Sequence, residues 1–170
     1  MLVMQKRNIE SGFTLLELML VAGIFAIFAA GIIAIINPKQ QIYKSHDARR
    51  KADLSSVSQA IESYYHDNGS YPLSVGGKIA IGGVAKSWGN PWQPYMNVLP
   101  KDPVTGRNYY YHSVSGGQGY VLYASLERGS ADVQACNGGQ ACANMAEYSI
   151  ASTACGSTCN YAISSSDINP

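Results

Sequence analysis

Polar positions almost vanish from one early stretch of this chain. From Leu18 to Ile36 there are 19 consecutive residues without a charge or strong polar group, and Glu17 is the one ionisable side chain between Phe13 and Ile36. As a helix the run spans about 28 Å, close to the thickness of bilayer hydrocarbon. It predicts a membrane-spanning helix. A secretory signal would have a shorter apolar core followed by a small-x-small cleavage site, whereas this run ends in "IINPKQQ". Asn37-Pro38 then interrupts the pattern, because proline lacks an amide donor and disfavours helix at the residue before it.

A different periodicity follows. Leu54, Val57, Ile61 and Tyr64 or Tyr65 form one apolar stripe, while Lys51, Asp53, Ser55, Ser56, Ser58, Gln59 and Glu62 fill the other positions. This predicts an amphipathic helix lying on a core. "HDNGSYP" stops it, with Asn68-Gly69 supplying a left-handed cap and Pro72 preventing resumption. Residues 73–108, broken by glycine pairs and prolines, read as a long connection. "KIAI" at 78–81 is a candidate short strand. Trp88, Trp92 and Tyr95 are expected to pack the connection onto the core, with a carbohydrate-binding platform as the alternative. "NYYYHSV" (108–114) and "YVLYASL" (120–126), joined by "SGGQG", predict an antiparallel hairpin. "EYSI" and "NYAIS" are further candidate strands. One long helix, a loop and a small antiparallel sheet make an α+β fold, not an alternating βαβ one.

Charge and composition narrow the function. With 12 basic and 11 acidic side chains the formal charge is +1, which argues against a general nucleic-acid binder. His46, His66 and His112 are scattered, and no nucleophile–base motif is readable, so the chain does not read as an enzyme. Cys136, Cys142, Cys155 and Cys159 all fall in the last 35 residues. An even number in a small Gly/Ser-rich region suggests two disulfides and an oxidising compartment, with three pairings open. The C-x5-C and C-x3-C spacings are unlike common zinc modules.

"GFTLLELMLVAGIFAIFAAGI" resembles the N-terminal signature of type IV prepilins and type II secretion pseudopilins. The resemblance implies a cytoplasmic leader, residues 1–12, cut by a prepilin peptidase between Gly12 and Phe13. It implies N-methylation of Phe13 and an assembly role for Glu17, the fifth mature residue. "DARRKADLSSVSQAIESYYHDNGSYP", "LPKDPVTGRNYYYH" and "YVLYASLERG" are similar to the helix and head of major pseudopilins. The implied organisation is a transmembrane and assembly helix at 13–36, the amphipathic second half of the pilin helix at 37–68, and an extracytoplasmic β-rich head with a cysteine-rich tail at 69–170. A C-terminal cysteine pair is more typical of type IV pilins, so pilus and pseudopilus both remain open.

What the family does sets the remaining expectations. The chain is expected to be a filament subunit, made as a single-pass inner-membrane precursor with its leader inside. Its partners would be copies of itself, the prepilin peptidase, the inner-membrane assembly platform and, before assembly, membrane lipid. Gly23, Ala26, Ala30 and Gly31 offer small surfaces for close helix approach. The α-amine of Phe13 would pair with Glu17 of a neighbouring subunit or of its own. Lys39, Lys44, Arg49, Arg50 and Lys51 outnumber Lys6 and Arg7. The positive-inside rule alone would therefore invert the topology, but the processing signature takes precedence. That basic cluster is expected to meet lipid headgroups or to pair with Asp47, Asp53 and Glu62. A DNA-binding strip is the alternative, and with it a minor pilin for DNA uptake or adhesion. A membrane-anchored extracytoplasmic binding protein is the reading from another class. Heads of this kind often bind calcium, for which Asp132 and Asn137 are the nearest candidates; an EF-hand spacing is absent.

Overall fold

The computed structural model describes residues 12–166 and Ile168, without the side chains of residues 33–36. The leader segment 1–11, including Lys6 and Arg7, lies outside the described residues. The chain divides into two compact units, residues 1–41 and 42–170.

In the first unit, α1 (Leu15–Ile36) is a 22-residue helix of almost wholly apolar side chains, about 33 Å long. Among the described side chains its apolar residues are exposed on every side, from Leu15 at 77% to Phe25 at 69% and Ile27 at 76%. Such a helix, apolar all round, needs a surrounding other than water. It is long and apolar enough to cross a membrane. It stops at Asn37, which is left-handed (φ 45°), a conformation that asparagine tolerates better than most residues. Pro38 then opens α2 (Pro38–Asn68), where its missing amide costs nothing in the first turn.

In the second unit, α2 buries Leu54, Val57, Ala60 and Ile61, and Tyr64 packs its ring 5.9 Å from that of Trp92. The expected stripe is therefore present, with Tyr64 on the core side and Tyr65 43% exposed. Gly69, at φ 71°, ends the helix, its amide donating to the Tyr65 carbonyl.

The segment expected to be a long connection holds a three-stranded antiparallel meander, β1 (Leu73–Val75), β2 (Lys78–Ile81) and β3 (Val84–Ala85). Val75 pairs with Lys78 and Ile81 with Val84, which leaves Gly76-Gly77 and Gly82-Gly83 as two-residue turns. All four glycines have positive φ. That is the type I′ geometry whose twist matches paired strands. The glycine pairs, read as breakers, are hairpin turns.

The second sheet has the order β4-β5-β6, with β4 (Tyr110–Val114), β5 (Gly119–Ala124) and β6 (Tyr161–Ser164) all antiparallel. The expected hairpin and the "NYAIS" strand are both there. "EYSI" is not a strand: α3 (Asn144–Glu147) ends inside it and Ser149 is left-handed. β5 is buried along its whole length. Tyr120, Leu122 and Ala124 join the core against α2, whereas Val121 and Tyr123 face a second core with Met145, Ile150, Cys142, Cys155 and Cys159. The architecture is a pilin-like α+β fold in which the cysteine tail covers the sheet face opposite the helix.

Candidate functional site

Two regions carry chemistry, one in each unit. The first is the start of α1. Thr14 caps the helix, its Oγ1 accepting from the Glu17 amide at 3.2 Å. The T-x-x-E spacing is that of a capping box. Glu17 falls in the first turn, where the positive end of the helix dipole favours a carboxylate. Gly12, Phe13, Thr14 and Glu17 line a cleft of about 380 Å³, and Phe13 is 84% exposed. The cleavage, methylation and assembly candidates thus share one accessible surface.

The second region is a buried ionic hub, of which sequence reasoning anticipated the Asp47 pairing but not the burial or the loop partners. Arg50 is fully buried. Its guanidinium grips Asp102 through two bonds, Nε to Oδ2 at 2.7 Å and NH2 to Oδ1 at 2.8 Å. NH1 donates to Asp47 at 2.9 Å and to Glu127 at 3.2 Å. Burial opposes the charge on Arg50, but the bond and charge of Asp102, followed by the bonds of Asp47 and Glu127, outweigh it and raise its pKa. Asp47 also accepts the Glu127 and Arg128 amides, and His46 is hydrogen-bonded to Glu127. One arginine therefore ties α2 to both loops whose sequences resembled pseudopilin heads, "LPKDP" and "SLERG". The overlooked signal was spacing. Asp47 and Arg50 continue the stripe of Leu54, Val57 and Ile61, so the buried face of α2 begins with charges.

This arrangement removes Arg50 from any nucleic-acid-binding strip. Among the basic residues expected to pair along the helix, Arg50 meets Asp47 and Arg49 lies 3.8 Å from Asp53. Lys51 reaches instead to Asp132. Glu62 accepts tyrosine hydroxyls from Tyr71 and Tyr120, and Asp53 accepts that of Tyr109 at 2.6 Å. Trp92 is 2% exposed and packs beside Tyr64 and Tyr95, and Trp88 meets the Tyr109 ring edge-on, so these aromatic residues pack the loop onto the core.

The four cysteines form two local bridges, Cys136–Cys142 and Cys155–Cys159. Buried Asn160 joins them to the sheet. Its Oδ1 accepts the Leu126 amide at 2.7 Å, and its Nδ2 donates to the carbonyls of Leu126 and Gly139. Gly139 cannot be larger: it is left-handed (φ 95°), and a Cβ there would meet Ser130 N at 2.5 Å.

The calcium candidates do not make a calcium site. Asp132 accepts from the Lys51 ammonium and the Gln134 amide, while the Asn137 side chain donates to the Ala141 carbonyl across the first disulfide ring. Calcium takes six to eight oxygens, and no cluster of three His, Cys, Asp or Glu side chains able to hold a metal occurs among the described residues.

Comparison with known proteins matches two families. The one described as "Type II secretion system (T2SS), protein G" matches residues 38–141, and the one described as "Prokaryotic N-terminal methylation motif" matches residues 7–33. A type II secretion system core protein G from Pseudomonas aeruginosa is 34% identical over 139 residues, covering 76% of this chain and 93% of that protein. Proteins of the same name from Vibrio cholerae and Aeromonas hydrophila are 32% and 33% identical, covering 65% and 59% of this chain and 75% and 71% of their own lengths. No solved structure gives a significant match.

Proposed function

This chain belongs to the type II secretion system protein G family, and we propose that it is a major pseudopilin, processed at Gly12–Phe13 and polymerised through α1. It is a structural subunit of a pseudopilus, assembling with copies of itself alongside the secretion machinery. The observation that carries the reading is α1 itself: a helix about 33 Å long, its described apolar side chains exposed on all sides, lying for most of its length within a methylation motif. In the precursor, lipid covers it. In the filament, neighbouring copies of the same helix do.

The residue roles follow from charge. A prepilin peptidase cuts residues 1–12 away, leaving the leader side in the cytoplasm and the head, residues 69–170, outside the inner membrane. There the two disulfides suit an oxidising compartment. Thr14 stays with the mature chain, so the cap survives the cut. The cut creates a cationic α-amine on Phe13 four residues before Glu17. Extraction from the bilayer into a filament desolvates both charges, and isolation would cost each on the order of several kcal/mol. Pairing with a neighbour's amine sets the axial register; pairing within the subunit is the competing geometry. The assembly platform receives the mature helix from the membrane, and Pro38 gives the helix a place to bend as it packs.

Intact mass and N-terminal sequencing of the assembled protein test this directly. Residues 1–12 should be gone and the Phe13 amine methylated; an assembled subunit that keeps Met1 would sink the reading. Glu17→Ala should enter the membrane normally yet lower filament yield at least about tenfold, the equivalent of about 1.4 kcal/mol per contact. Filaments of ordinary yield and length from that variant would refute the register role.

A further inference from the structure

The turn that leads from β5 into the cysteine tail contains a cation cage that is already filled. Between Glu127 and Glu147 the sole acidic residue is Asp132. Its Oδ2 lies 2.5 Å from the Lys51 ammonium, and its Oδ1 accepts the Gln134 amide at 3.0 Å. The same ammonium donates to Gln134 Oε1 at 2.8 Å and sits 5.4 Å from the centroid of the Tyr161 ring, within cation–π range. A carboxylate, an amide oxygen and an aromatic face thus surround one positive charge that arrives on a rigid helix. The other carboxylates nearby are committed, Asp47 and Glu127 to Arg50.

We infer that Lys51 is the resident cation of the Glu127–Gln134 turn, and that this head orders its tail without a divalent metal. The charge arithmetic is simple. One carboxylate and one ammonium neutralise each other, whereas a calcium ion in the same place would have to expel Lys51 and would find one carboxylate. Burial works against ionisation of Asp132, but the Lys51 bond and the Gln134 amide outweigh it and hold its carboxyl below the ordinary carboxylate range. The lock therefore joins three elements: α2 through Lys51, the turn through Asp132 and Gln134, and β6 through Tyr161. Lys51 acts as a positioning residue for the tail. The inference is independent of whether the chain is cut at Gly12 or forms filaments.

The full-length protein in detergent provides the test. Its melting midpoint, and the rate at which a protease cuts within residues 128–142, should be the same in calcium chloride as in EGTA. A calorimetric titration with calcium should show no saturable binding. Lys51→Met keeps the aliphatic stem and removes the charge; it should raise cleavage in that segment several-fold, and Asp132→Asn should do likewise in a variant with the helix unaltered. The double variant should cost less than the sum of the two singles, as expected of contacting partners. A calcium-dependent rise in the wild-type midpoint, saturable calcium binding, or a tail in Lys51→Met as resistant as wild type would each overturn the inference.

Discussion

Arg50 shows what one buried charge can do for a fold and why it is hard to replace. Its three carboxylate partners come from α2 itself and from loops 52 and 77 residues away. Removing the guanidinium would leave Asp47, Asp102 and Glu127 facing one another with little water to separate them. Breaking a buried pair from one side typically costs about 3–5 kcal/mol. Arg50→Met is accordingly expected to lower the unfolding free energy by about that amount, and Arg50→Lys to recover little of it, since an ammonium cannot make the two-pronged grip on Asp102. Urea unfolding followed by circular dichroism measures this. A loss under about 1 kcal/mol would place the hub in the class of exposed ion pairs.

At the scale of elements, the cysteine tail is a lid on the second face of β5. The two bridges close short rings, separated by 6 and 4 positions in sequence, and in the chain-entropy picture each contributes about 2 kcal/mol. They are not equivalent, because Cys155 and Cys159 are fully buried against Val121 and Tyr123 while Cys136 is partly exposed. Replacing Cys155 and Cys159 together with serine should therefore lower the melting midpoint more than replacing Cys136 and Cys142. It adds cavity and polar-burial costs to the lost cross-link. Equal shifts in differential scanning calorimetry would show that the lid contributes only its ring closures.

Across the head, five tyrosines make its core sensitive to alkali. Tyr109, Tyr111, Tyr120, Tyr123 and Tyr161 all have raised pKa values, in each case chiefly because burial disfavours the phenolate. For Tyr109 the adjoining Asp53 carboxylate adds to the effect. In the unfolded chain these groups titrate near about 10. Above that pH the unfolded state binds fewer protons than the folded one, so stability is fully present below about pH 10 and falls as pH rises past it. Phenolate absorbance should accordingly appear in one cooperative step together with loss of the near-ultraviolet dichroism. Independent titration of these tyrosines near the ordinary value, with the fold intact, would show that their hydroxyls are open to water.

The one-dimensional pattern determined the features that rest on local chemistry: an apolar helix of membrane length, its interruption at Asn37-Pro38, the amphipathic stripe, the Gly69 cap and the Tyr-rich hairpin. Each needs only periodicity or a special backbone preference, and both are written residue by residue. The head's stability could not be read the same way. Arg50 looked like one of a row of surface cations, the glycine pairs looked like breakers, and Asp132 looked like a metal ligand. Tertiary structure decided all three, because a charge's meaning depends on what faces it. Asp102 and Glu127 arrive at Arg50 from distant loops, strand pairing turns Gly76-Gly77 into a hairpin, and Lys51 reaches Asp132 across 81 positions of sequence. The same holds for the tail. Four cysteines announced two bridges, but only the packing of Val121 and Tyr123 shows that those bridges close the second face of the sheet.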